Sequence, residues 1–172
     1  CHDLKKEAIT VTEWQQLVAL LYDKIDITEL LKFIDFNNLI KGFTYPDLGV
    51  NTRPVKFPKL DGLPPQTVFV KKIFGMKKER AIIPHGHSNM ASAHLVLRGE
   101  MHLRHYAKVG KDGDQLIIKP TVDKIVAVGD SSSISDSLDN VHWFIANTDT
   151  AFTFDVIMLD LNNKGYDIHN LD

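Results

Sequence analysis

The segment Pro84-His85-Gly86-His87 and the residues after it carry three histidines, His85, His87 and His94. If the chain enters this segment as a β-strand, His85 and His87 point to the same face, because side chains along a strand alternate. Neutral imidazole is the commonest metal ligand in proteins, and two imidazoles on a rigid strand fix part of a coordination sphere. A chance pairing on a solvated strand or turn is the alternative. A third ligand has to come from elsewhere in the chain.

The composition is that of an ordinary globular protein of one domain, with room for an appended segment. Lys and Arg number 20 against 22 Asp and Glu, so no basic surface for nucleic acid is indicated. No apolar run reaches the roughly 18 residues that a membrane span needs. The single cysteine excludes an internal disulfide framework and a cysteine-based metal cluster. A metal must therefore be held by histidine, carboxylate or water.

Cys1 occupies the first position, where a newly made chain has Met. One interpretation is a trimmed or renumbered chain, and a cytoplasmic protein is then expected. The other is a mature bacterial lipoprotein whose lipid-bearing cysteine follows a removed signal peptide, which would place the protein in the periplasm. We expect the cytoplasmic location and keep the lipoprotein as the alternative.

Residues 1–45 are predicted to form a helical extension. Thr10 and Glu13 have the spacing of a capping box, which satisfies the free N–H groups of a first helical turn. An apolar stripe follows at helical spacing, made of Trp14, Leu17, Val18 and Leu21. A second helix begins at Asp26 or Thr28, ends near Gly42, and carries Ile27, Leu30, Leu31 and Ile34. This hairpin either covers one side of a larger domain or serves a homodimer interface.

Residues 46–66 are rich in proline, which removes backbone donors and disfavours helix. They are predicted to form an extended connection with a short edge strand. Residues 67–172 instead show short runs rich in Val, Ile, Phe and Tyr between turn residues, which predicts a β-sandwich or barrel. The predicted strands are Thr67 to Phe74, Ala81 to Ile83, His94 to Leu97, Met101 to Tyr106, Leu116 to Lys119, Lys124 to Val128, Val141 to Ala146 and Phe152 to Leu159.

The order of these features resembles the cupin superfamily, in which a jelly-roll barrel holds a metal or a ligand in its mouth. The first cupin motif has His-x-His, then a Glu, then a Gly. Here His85, His87 and Gly99 fit that motif, while Ser92 stands at the position of the Glu. The resemblance spans residues 67 to 160 and implies an all-β jelly-roll barrel with an N-terminal helical hairpin.

The second cupin motif supplies one more histidine after a tight turn. Gly129-Asp130 opens a match and His142 takes the place of that histidine. Ser137 and Asp139 stand where Pro and Gly are usual, and Ala146 stands where Asn is usual. The match to this motif is therefore partial.

The resemblance implies a three-histidine metal site made of His85, His87 and His142. Neutral nitrogen ligands with open positions suit Fe(II), and also Zn, Ni, Mn or Cu. Without a carboxylate the site keeps the full charge of a divalent ion, which favours an anionic substrate or bound hydroxide. Cupin dioxygenases with three histidines are similar, so we expect a metal-dependent dioxygenase or oxidoreductase acting on a small acidic or enolic molecule. A non-catalytic module that senses a ligand or metal is the alternative, and a metal-free sugar isomerase ranks last.

Four further residues are candidates near the site. His94 lies on the face of Ser92, and it is a fourth ligand, a base behind the ligands, or a packed inward histidine. On the next predicted strand Arg104 and His105 point to opposite faces. The apolar neighbours of His105 favour that residue as the inward one, with Arg104 solvated or paired with an acid. An inward Arg104 would instead bind a substrate carboxylate. Arg104, His105 and Ser92 are therefore kept as candidate substrate contacts.

Overall fold

The computed structural model describes residues 1–58, 61–62 and 66–170. Within these residues the chain forms ten strands: β1 (Asn51–Pro54), β2 (Val70–Lys77), β3 (Ala81–Ser88), β4 (Ala91–Arg98), β5 (Met101–Asp112), β6 (Gln115–Val126), β7 (Ser131–Ser135), β8 (Val141–Ala146), β9 (Thr150–Met158) and β10 (Asp167–Asn170). They make two five-stranded sheets, in the orders β1-β2-β9-β4-β7 and β10-β3-β8-β5-β6. Every strand pair is antiparallel, and most neighbours are distant in sequence. The fold is a jelly roll, as predicted.

Several strands differ from their predicted extents. The predicted segments Leu116 to Lys119 and Lys124 to Val128 are joined in one strand, β6, which continues through Pro120 at the edge of its sheet and ends at Val126. Pro120 is tolerated there because an edge strand leaves some N–H groups without a ladder partner. The serine-rich β7 and the polar β10 were not predicted, because their residues resemble those of turns. The expected edge strand is β1, while Pro64 and Pro65 of the connection lie outside the described residues.

Four helices precede the sheets: α1 (His2–Lys5), α2 (Val11–Tyr22), α3 (Ile27–Phe33) and α4 (Phe36–Ile40). The capping box before α2 is present, since the Glu13 N–H donates to Thr10 Oγ1 over 3.2 Å and Glu13 Oε2 accepts from the Thr10 N–H over 2.7 Å. Asp26 caps α3. The second predicted helix is interrupted at Asp35, which has a φ of 49°. None of the helices among the described residues is long and apolar enough to cross a membrane.

The buried face of α2 differs from the predicted stripe. Leu17 and Leu21 are 54% and 57% exposed. Relative to the orientation that the stripe predicts, the helix is rotated about its axis, because the side-chain amide of Gln15 bonds the first sheet. This amide donates to Ser133 Oγ over 3.2 Å and accepts from Ser135 Oγ over 2.7 Å. The side chains that α2 buries are Trp14, Gln15, Val18 and Tyr22.

The first sheet is buried on both faces. On β4, Ala93 and Leu95 belong to a core that the sheet shares with the helices, as do Phe152 and Phe154 on β9. A second core lies between the sheets and includes Met76, Val96, Met101, Leu103 and Phe144. The helices thus cover the outside of the first sheet, and alternate residues of β4 and β9 point into the barrel.

Candidate metal centre

Neighbouring strands of the second sheet bring four histidines to its inner face. On the pair β3–β8, His85 lies directly opposite His142, and on the pair β5–β8, His105 lies opposite the same residue. Directly opposed residues of an antiparallel pair share a face. His87 follows two residues after His85 on β3 and so shares its face. His142 therefore lies at the centre of the group.

A β-bulge on β3 orients the His85 side chain toward the inner face of the second sheet. The register pairs Ile82 with Phe144 and His85 with His142, so β3 carries one extra residue, within Ile83-Pro84. In a regular strand Ile82 and His85 would face opposite sides. The bulge lets both line the same cavity, which is a common use of bulges next to binding sites.

The imidazoles of His85, His87 and His142 form a compact cluster. The ring centroids are 4.3 Å apart for His85 and His142, 4.6 Å for His85 and His87, and 5.2 Å for His87 and His142. One nitrogen from each ring lies within 4.8 Å of the other two. The structure thus brings together the three residues predicted as ligands.

Hydrogen bonds to backbone carbonyls leave ligand nitrogens free in this cluster. His85 Nδ1 lies 2.8 Å from the Ile83 oxygen, and His142 Nδ1 lies 3.3 Å from the Asn140 oxygen. When Nδ1–H donates to a carbonyl, Nε2 keeps its lone pair for a metal. The buried Nδ1 of His87 has no hydrogen-bond partner within the described residues. This donor set fits a divalent transition metal.

Burial keeps these imidazoles neutral. Desolvation lowers the pKa of His142 well below its ordinary value and lowers the pKa of His87 to about 3, with the neighbouring histidines adding to both effects. The pKa of His85 is also lowered, chiefly by burial. Neutral imidazole is the form that binds metal. At neutral pH, therefore, protons do not compete for the ligand nitrogens.

Solved structures with an overall similarity to the chain have low sequence identity to it. Procruciferin, an 11S globulin from Brassica napus, is 17% identical with a TM-score of 0.42, over 58% of this chain and 22% of that one. A recombinant oxalate oxidase in complex with glycolate is 14% identical with a TM-score of 0.46, over 71% and 56%. TT1209 from Thermus thermophilus is 15% identical with a TM-score of 0.46, over 72% and 93%. No family model matches the chain, and no curated protein matches it.

The decisive observation is the placement of the two histidine motifs within the jelly roll. His85 and His87 on β3 and His142 on β8 meet on neighbouring strands inside the barrel, and Gly99 forms the turn after β4 with a φ of 78°. The chain has a cupin fold. It spans 22% of procruciferin and 56% of the oxalate oxidase.

Asn140 holds the first cupin motif against the second, and the sequence had not indicated it. Its Oδ1 accepts from the His87 N–H over 2.9 Å, and its Nδ2 donates to the His87 carbonyl over 2.7 Å. The side chain fits because position 86 is glycine, where an added Cβ would lie 2.5 Å from Asn140 Oδ1. Asn140 thus fixes the backbone of one ligand while its own carbonyl orients another, His142.

His94 faces the cluster from the opposite sheet of the cupin barrel. Its ring centroid lies 5.8 Å from that of His142, and it is not one of the three residues whose nitrogens cluster. His94 Nδ1 lies 2.8 Å from Oδ2 of Asp155, a side chain that is 1% exposed. The buried His94 Nε2 has no partner within the described residues. The sequence analysis missed Asp155 because most of β9 is apolar. Strand alternation could have identified it, since Asp155 points to the face opposite to that of Phe154 and Val156.

Arg104 lies on the outer face of the second sheet, so the alternative of an inward Arg104 that contacts the substrate is corrected. It is directly opposite Trp143, with its guanidinium carbon 5.1 Å from the centre of that ring, and its Nε is 3.3 Å from Asp123 Oδ2. The interpretation favoured from the sequence, an Arg104 that is solvated or paired with an acid, agrees with this placement. The cause is strand alternation, because His105 on the same strand faces inward.

His105 and Ser92 are both buried inside the barrel. His105 Nδ1 lies 3.5 Å from Asp139 Oδ2, and burial lowers the pKa of His105 against the opposing effect of Asp139. The Ser92 hydroxyl has no hydrogen-bond partner within the described residues. Ser92 lines the cavity in front of the three histidines, whereas His105 is not among the residues that line it. Substrate contact remains a prediction for both residues.

A cavity of about 230 Å³ opens next to the cluster. It is smaller than the pockets of about 300 Å³ or more that hold drug-sized ligands. Its polar lining consists of His85, His87, His142, His94, Ser92, Asp155, Lys72 and Tyr166. The rest is apolar: Val70, Phe74, Ile82, Met90, Ile134, Ile157, Leu159 and Ile168. The cavity therefore suits a small molecule that has a polar end and a hydrocarbon body.

Proposed function

We propose that the protein is a metal-dependent cupin enzyme, an Fe(II) dioxygenase or related oxidoreductase that acts on a small acidic or enolic substrate. The observation that carries the proposal is the cluster of His85, His87 and His142, three neutral imidazoles beside a small cavity. Fe(II) suits neutral nitrogen ligands with open positions, and Zn, Ni, Mn and Cu suit them as well.

A bound metal would supply Lewis acidity and, in the case of iron, reactivity toward dioxygen. The chain supplies the rest. Its three histidines would hold the ion and leave its charge unreduced, because Ser92 offers no carboxylate. The apolar walls exclude water from the reacting atoms, which strengthens electrostatic interactions within the cavity. The His94–Asp155 pair would hold a proton at His94 Nδ1 and leave the unpartnered Nε2 to accept a proton from a substrate.

Metal content measured after anaerobic incubation with Fe(II) and removal of unbound ion tests the proposal. The wild type should retain iron, and His142→Ala should lose most of it because it removes the central ligand. His102→Ala is the matched control, since His102 pairs with Asp123 on the outer face of the same sheet. Retention of iron by His142→Ala, or loss of iron by the control His102→Ala, contradicts the assignment of the metal site.

Oxygen consumption with a panel of small carboxylic and enolic compounds tests the activity separately. The iron-loaded wild type should consume oxygen with at least one compound, and His142→Ala should not. Metal retention without oxygen uptake across the panel would instead support the alternative, a cupin module that binds a ligand or metal without catalysis.

A further inference from the structure

Lys72 is a cation on the inner side of the barrel. On β2, the side chains of Val70, Lys72 and Phe74 line the cavity that the three histidines border. The neighbouring Lys71 points to the other face of the sheet, where its Nζ lies 3.1 Å from Thr67 Oγ1 and 5.1 Å from the centre of the Phe57 ring. One strand thus carries two lysines, of which one faces the cavity.

The ammonium of Lys72 has no hydrogen-bond or ion-pair partner within the described residues. Its directly opposed neighbour on β9 is Asp155, whose Oδ2 lies 2.8 Å from His94 Nδ1 and whose buried Oδ1 has no hydrogen-bond partner within the described residues. Lys72 and Asp155 are the charged side chains that line the cavity within the described chain, apart from the histidines. A partly buried ammonium beside apolar walls keeps a strong preference for an anion, because little water competes for it.

We propose that Lys72 binds the carboxylate of the substrate, so that the substrate class is small monocarboxylates with an apolar body. The inference rests on the proposed function and names the residue that selects its substrate. The carboxylate would lie against the Lys72 ammonium, and the hydrocarbon part would pack on residues such as Phe74, Ile134 and Ile157. In this arrangement Lys72 binds the carboxylate that an inward Arg104 would have bound.

Isothermal titration calorimetry with 3-methylbutanoate and 3-methylbutanamide tests the proposal, because the two probes share a shape and differ in charge. The titrations use the protein as purified and again after chelator treatment, so that binding to a metal is separated from binding to Lys72. The wild type should prefer the carboxylate by about ten- to a hundredfold, the range expected for a hydrogen bond to a charged group. Lys72→Met should abolish this preference, and Lys72→Arg should retain most of it.

Lys71→Met is the matched control and should keep the wild-type preference. Equal loss of preference in Lys71→Met and Lys72→Met, no preference in the wild type, or full preference in Lys72→Met each overturns the proposal. If Lys72 only balances the charge of Asp155, Lys72→Met will change the urea midpoint and leave the preference intact, which also overturns it. A Lys72-dependent preference in a protein that binds no metal would refute the proposed function and leave this inference standing.

Discussion

Buried His87 should make the metal-free protein sensitive to mild acid. Its side chain is 6% exposed, and burial lowers its pKa from 6.5 to about 3. Between these two pH values the unfolded chain binds a proton that the folded chain does not, so the free energy of unfolding decreases as the pH falls below 6.5. The slope is about 1.4 kcal/mol per pH unit. Integrated from pH 7.5 to pH 4.5, His87 accounts for about 3 kcal/mol.

Substitution of His87 by glutamine removes this contribution. We expect the wild type to lose about 3 kcal/mol more stability than His87→Gln over that pH interval, while His85 and His142 are present in both proteins. The measurement is urea unfolding in chelator-containing buffer at pH 7.5 and pH 4.5, followed by tryptophan fluorescence. Met90→Leu is the control, because Met90 lines the same cavity and carries no titrating group.

Equal losses in the wild type and in His87→Gln would refute the reasoning. They would mean that the His87 imidazole takes up a proton in the folded state, and hence that it is not held in the desolvated cluster. A Met90→Leu variant with the pH dependence of His87→Gln would mean that repacking of the cavity, and not proton uptake, sets the slope.

Three further predictions test residues in and around the barrel. Gly86→Ala should weaken metal retention about ten- to a hundredfold, because the added Cβ displaces the Asn140 amide that holds β3. Gly110→Ala is the control and should not weaken it, because the space around its Cβ is open. Equal metal affinities of the two variants in a metal titration would contradict the prediction for Gly86. Phe152→Ala should reduce the free energy of unfolding, measured with urea, by about 3–5 kcal/mol. Substitution of the exposed Leu17 by alanine should change it by no more than about 0.5 kcal/mol. Similar losses in the two variants would contradict the burial of Phe152 and the exposure of Leu17. Arg104→Ala should leave metal content and carboxylate binding unchanged in elemental analysis and calorimetry, and a change in either would mean that Arg104 reaches the cavity.

The sequence indicated the fold and the pair of His85 and His87 because both depend on local patterns. Strands follow from alternating or β-branched residues between turn residues, and the spacing of His85 and His87 fixes a shared face once the segment is a strand. The assignment of His142 depended on the resemblance to cupins, since nothing in its neighbourhood distinguishes a ligand from a core histidine.

The sequence did not show features that arise only when strands pair. The bulge at Ile83-Pro84 depends on the register between β3 and β8, and a regular strand would have placed Ile82 and His85 on opposite faces. Which lysine of the Lys71-Lys72 pair enters the barrel depends on which face of β2 the helices cover. The rotation of α2 depends on hydrogen bonds made by Gln15 to a strand, β7, whose serines gave no strand signal.

Asp155 places a carboxylate next to His94 in a site that has Ser92 where cupins usually have a glutamate. Ser92 leaves no acidic ligand in the first motif, so the charge of a bound ion stays unreduced at the three histidines. Asp155 lines the cavity beside His94, and its Oδ2 lies 2.8 Å from His94 Nδ1, so a proton on Nδ1 leaves Nε2 as an acceptor. A carboxylate in this position fixes the orientation of the His94 ring through a hydrogen bond. Under the proposed function, the three histidines would hold the ion and His94 would accept the proton of the substrate.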